Sequence, residues 1–186
     1  MNNEQYPAIG MIELSSIAKG IITADYMVKK APITLIWTKA ISRGKFLILI
    51  TGDEASVDES LQAGVEAAGD KLLDMFYIPQ VHSQVSNGLK GDYQDAPIDS
   101  LGVIETETVA SSIIAADYAV KAADVILTKI HLGTGIGGKA YFILTGPLFQ
   151  IEAAVQAGRS YAEEKEKLTG WEIIPAPFSD LGKYII

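Results

Sequence analysis

"IGMIELSSIAKGIITADYMVKKA", residues 9–31, is written again 92 residues later as "LGVIETETVASSIIAADYAVKAA", residues 101–123. Gly10, Ile12, Glu13, Ala18, Ile21, Ile22, Ala24, Asp25, Tyr26, Val28, Lys29 and Ala31 each meet the same residue type, 12 identities in 23 gapless positions. A repeat of this quality decides the architecture before any single element is assigned. The match resumes at an offset of 94, where "RGKFLILITG" (43–52) meets "GGKAYFILTG" (137–146). Ala63-Gly64 then meets Ala157-Gly158, and Ile78-Pro79 meets Ile174-Pro175. The second copy therefore carries two extra residues within "HLGTGIGG". The first domain is expected over residues 1–92, including a C-terminal linker, and the second over 98–186. The stretch "SNGLKGDYQDAPIDS", Ser86 to Ser100, has the Gly, Asp, Asn and Ser content of that linker.

Each copy spells the same elements. Ala8 to Leu14 reads as a short apolar strand. Ser15 or Ser16 can cap a helix with Ile17, Ile21, Ile22 and Val28 at helical spacing, ending before Pro32. Ile33 to Thr38 and Lys45 to Thr51 are β-rich runs joined by a tight loop at Gly44. A turn at Gly52-Asp53 opens a second helix through Val57, Leu61, Val65 and Ala68, and a last strand leads to Ile78-Pro79. The order β-α-β-β-α-β predicts an α/β sandwich of the ferredoxin-like kind, with a helix pair on one face of an antiparallel sheet.

Composition narrows the function. The chain has 186 residues, 48% hydrophobic and 20% charged, with a formal net charge of −8. An acidic chain without basic clusters is a poor nucleic-acid ligand, because affinity there rests on neutralising phosphates. There is no cysteine, which excludes a disulfide framework, a thiolate metal site and a cysteine nucleophile, and fits a cytoplasmic protein. Met1 to Gln5 is polar and lacks the basic and apolar regions of a signal peptide. The longest apolar run, Phe46 to Ile50, is far below the ~20 residues of a membrane span, so no lipid membrane is expected as partner.

"HLGTGIGGKAYFILTG", His131 to Gly146, carries glycines spaced for either a P-loop or a dinucleotide fingerprint. Both motifs need a helix after the glycines, so that helix-terminal N–H groups meet phosphate. Here "AYFILTGP" follows, which is a strand, and Ala140 stands where a P-loop has its hydroxyl. The loop is therefore expected to be a hairpin connection. His82 and His131 have no partners at metal-ligand spacing and read as turn or surface residues. Glu13 and Glu105 recur by duplication, with a hydrogen bond or ion pair expected near the following helix start. Glu163 to Lys167 reads as a solvated helix face. No catalytic motif is present.

The unit "GMIE…ADYMVKKA…GKFLILITGD…AG…IP" resembles the bacterial microcompartment shell domain. Two copies in this unpermuted order resemble the tandem-domain shell proteins, most closely the T type of propanediol-utilisation compartments. The resemblance implies a homotrimeric, pseudohexameric tile in a microcompartment shell within the cytoplasm. Its partners would be other shell proteins, with small-molecule metabolites crossing a central pore and no enzymatic activity. The hairpin loops Ala40, Ile41, Ser42, Arg43, Gly44 and Thr134, Gly135, Ile136, Gly137 would line that pore. Lys29 and Lys121 would sit at tile edges, where their other role is an i, i+4 pair with Asp25 and Asp117. The edge arginine that the family places after Ile-Pro is absent, with Gln80 and Ala176 in this chain. Relatives hold a 4Fe-4S cluster through a cysteine at the position of Ser42. A serine hydroxyl replaces thiolate poorly, so no cofactor is expected here. Lys39, Arg43 and Lys45 read either as a solvated loop or, in three copies, as an electropositive pore mouth that favours anionic metabolites. A cluster-bearing redox subunit and a trimeric metabolite-binding regulator are the alternative readings.

Overall fold

The computed structural model describes residues 8–178 and 180–185. The polar opening Met1–Gln5 lies outside the described residues. By its contacts the chain divides into two units: residues up to Val81 together with Thr134–Gly138, and His82–Gly133 together with the residues from Lys139 onward.

In the first unit β1 (Ala8–Leu14) leads to α1 (Ile17–Lys30), then β2 (Thr34–Ile41), β3 (Lys45–Gly52), α2 (Glu54–Ala68) and β4 (Leu72–Ile78). The sheet order is β2-β3-β1-β4 and every pairing is antiparallel. Ser16 caps α1 by accepting from the Lys19 amide, and Asp53 caps α2 by accepting from the Ser56 amide. Both caps stand where the sequence places a polar residue before an apolar periodic run. Ile12, Leu14, Ile48 and Ile50 pack with Met27, Val57 and Leu61 to form the core. β1 is buried along its whole length and β3 from Phe46 to Ile50, which is why their apolar runs are continuous rather than alternating. α1 and α2 approach closely at Gly64, where a Cβ would fall 2.4 Å from the Ile12 side chain and 2.8 Å from Met27.

The second unit begins with α3 (Ser83–Gly88) and repeats the plan: β5 (Ser100–Thr106), α4 (Val109–Ala122), β6 (Ile126–His131), β7 (Ala140–Gly146), α5 (Leu148–Glu164) and β8 (Leu168–Ile174). A last turn of helix, α6 (Gly182–Ile185), follows, and the sheet order is β6-β7-β5-β8. Thr108 caps α4 as Ser16 caps α1. The registers agree as well: Ile9 faces Ile78 in one sheet and Leu101 faces Ile174 in the other.

Ser86–Ser100 is not the free connection that its composition suggests. Val85, Gly88 and Leu89 are buried, and α3 packs on β6 and α4. Gln84 bridges the β6 backbone, donating to the Val125 carbonyl at 2.9 Å and accepting from the Leu127 amide at 2.7 Å. The Tyr93 hydroxyl accepts from the Ile130 amide at 3.0 Å. Residues 82–92, assigned by sequence to the first domain, thus make their contacts in the second unit. Glu163 and Glu164 end α5, and Lys165 to Lys167 form the turn after it, with Glu166 at φ 55°.

Candidate functional site

The hairpin between β2 and β3 turns at Ser42–Gly44, a single 3-10 turn in which Arg43 has φ 64° and Gly44 φ 71°. Two consecutive residues in the left-handed region reverse the chain within three residues, and glycine carries the second at no steric cost. The glycine loop belongs to the same unit, since Thr134–Gly138 makes its contacts with the first unit. Ser42 Oγ accepts a 2.7 Å hydrogen bond from the Gly135 amide. Lys45 Nζ donates to the Gly138 carbonyl at 2.9 Å. A Cβ on Gly138 would come within 2.9 Å of the Ser42 carbonyl oxygen, and its φ is 77°. The glycines are therefore there for backbone conformation and close approach, and β7 follows them as the sequence predicts.

Of the residues named for these loops, Ala40, Arg43, Gly44, Thr134, Gly135, Ile136 and Gly137 are exposed. Ser42 is half-buried, and Ile41 is buried, so its side chain is withheld from solvent.

The three basic residues near Ser42 do not act together. Lys45 is drawn inward to Glu13 at 2.8 Å, with the Glu13 side chain wholly buried. Lys39 lies over the Trp37 ring, 4.6 Å from its centroid. Arg43 is exposed at the tip of the turn. Lys45 therefore neutralises an internal carboxylate rather than adding charge to the loop.

The same pair occurs in the second unit, where Lys139 meets Glu105 at 2.8 Å. The partner thus comes from the strand paired with β1 or β5, not from the following helix start. Register explains this, because Glu13 faces Leu47 and Lys45 lies two residues further along the same face. The hydrogen bond from Lys139, helped by one from the Thr169 hydroxyl, holds the Glu105 carboxyl below the ordinary glutamate range against the opposing effect of burial. A signal for the pair was present in the sequence: one acid and one lysine duplicated at matching places.

Lys29 pairs with Asp25 and Lys121 with Asp117, both at i, i+4. Asp117 also accepts from the His82 amide at 2.8 Å, a contact that no spacing announces. His82 caps α3 through Nδ1, which accepts from the Gln84 amide, and burial lowers its pKa. His131 Nδ1 accepts from the Gly133 amide while the ring stacks on Tyr141 at 5.0 Å, and burial lowers its pKa too. Neither histidine lies in a turn: His82 caps α3 and His131 ends β6, both half-buried. Among the described residues no group of three or more histidines and carboxylates could hold a metal ion, and no helix is long and apolar enough to cross a membrane.

A domain model described as the BMC domain matches residues 8–81 and again residues 100–177. The chain is 37% identical to the bacterial microcompartment shell protein PduT of Citrobacter freundii, covering 96% of this chain and 97% of that protein. It is 28% identical to the carboxysome assembly protein CcmO of Synechococcus elongatus, over 94% of this chain and 67% of the other. The crystal structure of a microcompartments protein from Desulfitobacterium hafniense matches with a TM-score of 0.86 at 40% identity, covering 96% of this chain and 99% of that one.

Proposed function

The chain belongs to the BMC-domain family of bacterial microcompartment shell proteins, and from that premise we propose that three copies form a pseudohexameric tile with a central pore for small molecules. Each copy contributes the Ser42 turn and the glycine loop to the rim. The observation that supports this reading is the 2.7 Å bond from the Gly135 amide to Ser42 Oγ, which ties the glycine loop to the Ser42 turn. Because the two loops differ in length by two residues, the rim has threefold symmetry. The tile is not an enzyme; it works in the cytoplasm as part of the shell, beside other shell proteins, with Lys29 and Lys121 at its edges.

An iron–sulfur cluster does not fit these residues. The chain has no thiolate to offer, and the Ser42 hydroxyl already serves as acceptor for the Gly135 amide. That removes the support for a redox role.

Electron microscopy of the purified protein tests the reading. The expected image is a hexagonally packed sheet of tiles, each with a threefold-symmetric central hole. Dispersed particles without threefold symmetry would refute it.

A further inference from the structure

Duplicated helices in one chain should have duplicated surroundings, and α1 and α4 do not. Ile113 is fully buried while its counterpart Ile21 is 61% exposed. Val109 is fully buried while Ile17 is 41% exposed, and Val120 is buried while Val28 is 42% exposed. The carboxylates differ in the same way, with the side chain of Asp117 at 6% and that of Asp25 at 52%. The residue types on the two faces are nearly the same. The difference is thus in what lies on the helix, and a surface of four large aliphatic residues on one helix (Ile17, Ile21, Ile22, Val28) marks an interaction site, whereas Tyr26 and its counterpart Tyr118 are exposed alike.

The second unit shows part of what lies there. The segment leaving the Ile-Pro end of β4 delivers the His82 amide to Asp117 at 2.8 Å and continues into α3, which packs on α4. The register of β1 with β4 and of β5 with β8 makes Pro175 the counterpart of Pro79 and Phe178 that of His82. Phe178 is 72% exposed, and among the described residues Asp25 pairs with Lys29 rather than with the Phe178 amide. An unseated strand exit and an unoccupied helix face remain, each matching one half of a contact already made in the second unit.

We propose that the outer face of α1, centred on Ile21, Ile22 and Asp25, is the seat for Pro175–Phe178 of a second copy of this chain, with Asp25 accepting from the Phe178 amide of that copy. The proposal rests on the trimer reading and gives it a specific joint. Such a contact is head-to-tail, uses two different surfaces of each chain, and closes into a ring when its rotation allows. The occupant ends at Phe178 because Asp180, in the place of Gln84, is tied to Lys183 and has no amide to clip the edge of β2.

The absence of cysteine makes a direct test available. The double variant Asp25→Cys/Phe178→Cys is weighed by native mass spectrometry and then mildly oxidised. Asp117→Cys/His82→Cys, whose native counterparts are in contact within one unit, serves as the positive control for closure. The expected result is a three-chain mass and thiol-reversible bands of two and three chains from the first variant. A three-chain mass without these bands, while the control closes, overturns this joint and leaves the trimer standing. A one-chain mass overturns both. Ile21→Glu supplies an independent reading: the exposed site tolerates the charge in the monomer, so circular dichroism stays native while the trimer dissociates at a concentration at least about tenfold higher than the parent. An unchanged dissociation profile overturns the proposal.

Discussion

Glu13 and Lys45 are joined at 2.8 Å, with the carboxylate wholly buried, whereas the duplicate pair Glu105 and Lys139 has side chains 39% and 50% exposed. Duplication kept the chemistry and changed the dielectric around it. Removing one partner of a buried pair leaves an uncompensated charge and costs about 3–5 kcal/mol, while exposed pairs contribute about 0–1 kcal/mol. Lys45→Met should therefore destabilise the protein several times more than Lys139→Met. Urea denaturation of the two variants measures the contrast, and equal losses would show that burial is not the cause.

Two glycines of the loop separate conformational strain from steric contact. Gly135 has φ 81° with nothing near a Cβ, so Gly135→Ala should cost about 1 kcal/mol from backbone strain alone. Gly138 adds the 2.9 Å approach to the Ser42 carbonyl, so Gly138→Ala should cost about 1–3 kcal/mol more. Thermal unfolding of the two single variants gives the order, and it should also show the larger fall in melting temperature for Gly138→Ala.

Glu105 sets a pH dependence of known sign. Its folded-state pKa lies below the ordinary value of 4.5, chiefly through the hydrogen bond from Lys139. The unfolded chain therefore binds the proton more readily. The stabilisation from this group is complete above pH 4.5 and is lost as pH falls through the folded value. A carboxyl-carbon NMR titration should place Glu105 below 4.5 in the parent and higher in Lys139→Ala. A parent midpoint at or above 4.5 would contradict the assignment.

Arg43 stands at the tip of the Ser42 turn, whereas Lys45 is turned inward to Glu13 and Lys39 lies over Trp37. Three copies around one opening would concentrate anions by focusing the field. In planar bilayers, Arg43→Glu trimers should show an anion-to-cation current ratio lower by about tenfold. Lys45→Glu is a poor substitute for this test, because it strikes the internal pair. No change in the ratio would remove Arg43 from the filter.

What the sequence disclosed and what it withheld have separate physical causes. The twelve identities between residues 9–31 and 101–123 made the duplication plain, and the caps at Ser16 and Asp53 followed from side-chain type beside an apolar period. Those signals are local. The Glu13–Lys45 pair depends on the β1–β3 register, which becomes visible only when the strands are paired. α3 was hidden because "SQVSNG" is short and rich in turn formers; its place comes from tertiary bonds of His82 and Gln84. Nor could the difference between Ile21 and Ile113 be read, because the same residue type in the same repeat position has different neighbours.

Native mass spectrometry of the purified protein is the most direct measurement of the central claim. At micromolar concentration the result should be a single species with the mass of three chains, free of bound iron. A species of one chain that persists as concentration rises would contradict it, since loops around Ser42 and Gly135 would then have no axis to surround.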